Sequence, residues 1–132
     1  MTKPRLRAHE WCGTTWDDPS EDRLHDLLAD MNPRHCFVVV DRLDAPGPGD
    51  HYLQVHLNED MSCLVEYRSG GPETHHRAVV TEPFGLGGCD IVAPVLQAWA
   101  FGRAGWREAL PWVPWDAERD APREDGVPGQ AG

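Results

Sequence analysis

Residues 51–80 read HYLQVHLNEDMSCLVEYRSGGPETHHRAVV. Leu53, Val55 and Leu57 alternate with Tyr52, Gln54 and His56, the period of a strand with one buried face. NED then makes a tight return to SCLVEYR (62–68), and SGGPE, a second cluster of turn formers, separates that run from THHRAVV (74–80). Three runs divided in this way predict an antiparallel meander. The last two form a hairpin in which Glu66 lies nearly opposite His76 or Arg77.

Working outward, HCFVVVDRL (35–43) is a continuous β-branched and aromatic run, which predicts a central strand covered on both faces. It is joined to the meander by the turn-rich DAPGPGD (44–50). RLRAHEW (5–11) alternates with a phase slip and predicts an edge strand. WDDPSEDRLHDLLADM (16–31) carries a helix start: Asp18 as N-cap, Pro19 at the first helical position and Glu21 completing a capping box. Leu24, Leu27, Leu28 and Met31 then follow helical spacing, with Asp22, Arg23, Asp26 and Asp30 on the opposite face.

After the connection EPFGLGG (82–88), CDIVAPVLQAWAFG (89–102) predicts a second helix with Asp90 as N-cap and Gly102 as C-cap. Gln97 is the one polar side chain between Pro94 and Gly102, so this helix must be largely buried. The expected fold is α+β: a four- to five-stranded antiparallel meander sheet with two helices, about 18–31 and 90–101, packed on it. Residues 1–115 form the single expected domain. Residues 116–132, rich in charge, Pro and Gly, are expected to be a disordered acidic tail.

With 12 Lys and Arg against 22 Asp and Glu, the chain has a formal net charge of -10. Such a field repels nucleic acid and steers in a basic protein partner. No apolar run approaches the roughly 18 residues that span a bilayer, and no apolar segment follows the basic N-terminus, so neither membrane nor secretion is expected. The expected compartment is the cytoplasm. Cys12, Cys36, Cys63 and Cys89 form no C-x-x-C pair and read as free thiols.

Candidate chemistry concentrates in the hairpin, where Glu66, Arg68, His75, His76 and Arg77 fall near one turn. His75 and His76 are adjacent on a strand and point to opposite faces. The residues read as a cross-strand salt bridge; the alternative is a small enzyme or metal-binding protein built on Glu66, His75, His76 and Arg77. No catalytic motif is present, and neither enzyme activity nor a cofactor is expected. Four of the six tryptophans, Trp99, Trp106, Trp112 and Trp115, lie within seventeen positions. Trp99 and Trp106 read as core, whereas Trp112 and Trp115 suit either core or a partner-binding surface.

VEYR (65–68), the following HHRA (75–78) and WAFG with GW (99–106) resemble small actinobacterial immunity-type proteins of polymorphic toxin systems, over about Asp50 to Trp115. A narrower likeness is to the immunity group encoded beside deaminase toxins, although the glycine-containing strand pattern of that group is absent here. The resemblance implies a cofactor-free protein that binds a cognate toxin domain and occludes its active site; a generic protein-binding adaptor is the other binding reading. The contact residues expected on these grounds are Glu59, Asp60, Glu66, Arg68, His75, Arg77, Trp112 and Trp115, with Glu59 and Asp60 standing in for phosphate toward a toxin that acts on nucleic acid.

Overall fold

The computed structural model describes residues 4–45, 47 and 49–122. Eight strands run in chain order: β1 (Leu6–Glu10), β2 (Thr15–Asp17), β3 (Phe37–Arg42), β4 (Asp50–Leu57), β5 (Cys63–Gly70), β6 (His76–Val80), β7 (Val113–Asp116) and β8 (Ala121–Pro122). They form one sheet in the order β2-β1-β3-β4-β5-β6-β7-β8, antiparallel at every pairing. Helix α1 (Glu21–Ala29) joins β2 to β3, and α2 (Gly88–Ala100) with α3 (Trp106–Ala109) joins β6 to β7.

Strand alternation sets the two faces. Ala8, Val40, Leu53 and Tyr67 form one cross-strand row, and Val38, Val55, Val65 and Ala78 the next. Both rows are buried. They pack against Leu24, Leu27 and Leu28 of α1 and Val92, Val95, Leu96 and Trp99 of α2 in one core. The expected α+β class with an antiparallel sheet is found.

Several expectations are corrected. The sheet has eight strands, not four to five, because β2, β7 and β8 hold two to four residues each, too few to show a period, and β7 and β8 contain Pro114 and Pro122. β1 is interior, since the chain doubles back so that β2 covers its outer edge. β3 is covered on one face only: Val38 and Val40 are buried, while Phe37 and Val39 are half-buried on the other side.

Helix α1 is capped by Ser20, whose hydroxyl accepts the Arg23 N–H at 3.1 Å. Asp18, the expected N-cap, sits at φ 48 and its carboxylate instead accepts the N–H groups of Arg5 and Leu6 at 2.8 and 3.1 Å, pinning the start of β1. Helix α2 starts at Gly88 after Gly87, which holds a φ of 121°, so Asp90 lies in its first turn. Phe101 is the C-cap and Gly102 follows it at φ 70°; the Arg103 N–H then donates to the Ala98 carbonyl at 2.8 Å, the closure that needs a left-handed residue. The third helix, α3, has four residues and no amphipathic period to announce it. Of the expected tail, residues 116–122 complete β7, a turn and β8, while residues 123–132 lie outside the described residues.

Candidate functional site

Because α1, α2 and the core rows occupy one face of the sheet, the other face carries no helix. On it the register places Tyr52 opposite Arg68 and Glu66 opposite Arg77. A 3-10 turn over Pro72–Thr74 then delivers His75 onto the same face just before β6 begins. Pro72 and the Thr74 hydroxyl, which donates to the Gly71 carbonyl at 2.7 Å, fix that turn.

His75 is buried, and its ring is held from both sides. Its Nδ1 accepts from Arg68 Nε at 3.3 Å and lies 3.5 Å from the Tyr52 hydroxyl, while Nε2 is 3.1 Å from Glu66 Oε1. An arginine has no acceptor to offer, so Nδ1 carries the lone pair and Nε2 the proton donated to Glu66. The same Glu66 oxygen accepts from Arg77 at 3.2 Å. Burial pushes the Glu66 carboxyl upward, but the hydrogen bond from His75 and the charge of Arg77 outweigh it and hold the group below its ordinary value. The Tyr52 hydroxyl is shifted the other way, raised chiefly by burial.

The outer wall of the cluster comes from the β7–β8 hairpin. The Arg77 guanidinium lies 3.9 Å from the centre of the Trp115 ring and donates to Asp120 at 3.1 Å, and Trp115 Nε1 donates to the same carboxylate oxygen at 3.3 Å. The Trp115 N–H donates to the His75 carbonyl at 2.9 Å. No family model, curated protein or solved structure significantly matches this chain. Its functional reading therefore rests on this face.

Of the eight expected contact residues, the fold brings five together: Glu66, Arg68, His75, Arg77 and Trp115. Trp112 is on the opposite face, where Tyr67 stacks on His76 (4.8 Å) and meets Trp106 (4.9 Å) and Trp112 (4.7 Å) edge-on. Glu59 and Asp60 lie in the β4–β5 turn, at the other end of these strands from the His75 turn. Asp60 closes that turn by accepting the Ser62 N–H at 2.9 Å and its hydroxyl at 2.5 Å, which together lower its carboxyl pKa. Glu59 is exposed.

His76 faces away from Glu66, His75 and Arg77, so the four residues of the alternative chemical reading do not converge. Among the described residues no group of three or more His, Cys, Asp or Glu side chains is placed to hold a metal ion. Burial pushes the Cys63 thiol up to about 12, with Cys89 adding to the shift, so neither thiol is arranged as a nucleophile. Sequence reasoning missed Tyr52 and Asp120. Tyr52 was legible as a member of the alternating polar row of β4; Asp120 was hidden in a stretch whose composition resembles a tail.

Proposed function

We propose that this chain is a stoichiometric binding protein that neutralises a cognate toxin domain, with the helix-free face of the sheet as its contact surface. The observation that carries the reading is the grouping of Tyr52, Arg68, Arg77 and Trp115 around a buried Glu66–His75 pair on that face. Trp, Tyr and Arg are the side chains that dominate binding hot spots, because they bury much area with little loss of rotamer freedom. Here each is held by neighbours before a partner arrives, which lowers the ordering cost of association.

Charge supports the same reading. A toxin acting on nucleic acid presents a basic surface to its substrate, and a chain of net charge -10 competes for that surface. Among the described residues no helix is long and apolar enough to cross a membrane. The test is co-expression of this chain with a toxin domain from a neighbouring gene. Protection of the host and a complex in equal stoichiometry are expected, and Arg68→Ala combined with Trp115→Ala should weaken that complex at least about a hundredfold. A toxin that remains active and unbound in the presence of the chain overturns the reading.

A further inference from the structure

Helix α1 ends with its polarity uncompensated. The negative end of a helix dipole favours a cation, yet the last turn of α1 holds no basic residue and its C-cap is Asp30. The Asp30 side chain is exposed and accepts no hydrogen bond among the described residues. Glu10, the last residue of β1, brings a second acid to the same place. Its Oε2 accepts the Trp16 indole N–H at 2.8 Å, and its Oε1 accepts no hydrogen bond among the described residues. Arg34, the arginine nearest to Asp30 in the chain, forms an ion pair with neither acid. Acids gathered at the negative end of a helix repel one another and oppose the dipole, a local conflict of the kind that proteins keep where function uses it.

The two acids line a cavity of about 190 Å³ where β1 ends and β3 begins. Leu27 and Met31, both buried, form its apolar side. Trp11, which is 49% exposed, and His35 form another, with ring centres 5.4 Å apart and planes at 82°, so that the two rings make a corner. No Lys or Arg is among the lining residues. Glu10, Asp30 and His35 are not close enough together to hold a metal ion. At about 30 Å³ for each water in the liquid, the cavity has room for about six non-hydrogen atoms.

We infer that this cavity binds a primary alkylammonium group, from a lysine side chain or from a free amine. Its ammonium meets Glu10 and Asp30 beside the end of α1, and its methylenes lie along Leu27 and Met31. The acids, the helix terminus and the aromatic corner all favour a cation, and the apolar side selects one carried on an alkyl chain. The site lies on the helix-bearing side of the sheet, away from the face assigned to a toxin, and it stands or falls independently of that assignment.

The test is an NMR titration of the full chain with n-butylammonium at about pH 8, above the ordinary imidazole range. Butanol and butyrate serve as the neutral and anionic controls. Butylammonium should shift the Trp11 indole N–H and leave that of Trp115 in place, and neither control should move Trp11. Glu10→Gln, which keeps an acceptor for the Trp16 indole, combined with Asp30→Asn should weaken binding about tenfold or more. Trp11→Ala, read at the Met31 amide, should weaken it about threefold or more. A Trp11 signal that stays silent at millimolar butylammonium, an equal response to butanol, or unchanged affinity in the double variant each overturn the inference. A capped lysine, N-acetyl-lysine methylamide, separates the two sources: affinity at least equal to that of butylammonium assigns the site to a lysine side chain, and weaker affinity assigns it to a free amine.

Discussion

His75 has the proton on Nε2 because Arg68 occupies Nδ1, and that one assignment orients the cluster. It leaves Glu66 accepting from the imidazole Nε2–H and from the Arg77 cation at once. The Glu66 side chain is 15% exposed, so replacing it by Gln leaves the Arg77 charge to the exposed Asp120 alone and should cost about 1–3 kcal/mol at pH 7. The pH dependence follows from sign. The folded-state pKa lies below the unfolded value, so the carboxylate's stabilisation is full above the ordinary glutamate value of about 4.3. It is lost as pH falls through the folded value. Chemical denaturation of the parent chain and Glu66→Gln should therefore give a stability gap that is constant near neutrality and narrows in acid; a gap that widens in acid would contradict the assignment.

At the scale of elements, two devices fasten the chain segments that flank the site. The Arg42 guanidinium of β3 reaches the end of α2, donating to the Trp99 carbonyl and to the Ala100 carbonyl at 3.0 Å, with its carbon 5.1 Å from the Trp99 ring centre. A cation there meets both the orphan carbonyls and the negative end of the helix dipole. Arg42→Ala should cost about 2 kcal/mol, read as a lowered denaturation midpoint with an unchanged denaturant slope. The second device is the chain from Trp106 to Trp115, whose tryptophans divide between the two faces of the sheet. Trp112→Ala dismantles the Tyr67–Trp106 cluster and should cost about 3 kcal/mol of stability. Trp115→Ala removes a ring over Arg77 and should cost about 1 kcal/mol, with its larger effect on partner binding. Equal losses of stability from the two would contradict this division. From sequence alone the pair were indistinguishable, because two residues past Trp112 the chain passes Pro114 in a strand too short to display its alternation. The meander was legible for the opposite reason: β4 and β5 run eight residues each with clean alternation and turn formers between them. The same alternation placed Glu66 opposite His76 or Arg77, of which the register selects Arg77, whereas the closure of the site by Asp120 depended on a hairpin that composition concealed.

At the scale of the molecule, the net charge and the proposed contact face make separate contributions. On the helix-free face Arg7 is paired with Asp17 at 2.7 Å and Arg77 with Glu66 and Asp120, while His9 hydrogen-bonds to Asp41 at 2.7 Å. Both arginine pairs are neutral or acidic in sum, so the excess behind the net charge of -10 is carried mostly by acids outside these pairs. For the binding protein proposed, such an arrangement would divide the work of association: the net negative field would accelerate encounter with a basic partner, and the helix-free face would set how long the complex lasts. Stopped-flow measurement with a toxin bound as proposed should show an association rate that falls by about tenfold or more between about 0.05 and 0.5 M salt, with a dissociation rate that changes little. Glu59→Lys, an exposed reversal away from the cluster, should slow association by about twofold and leave dissociation alone, whereas Arg68→Ala should act mainly on dissociation. If salt and Glu59→Lys altered the dissociation rate as strongly as the association rate, the excess charge would be part of the bonded contact, and the helix-free face would lose its claim to be the surface that decides affinity.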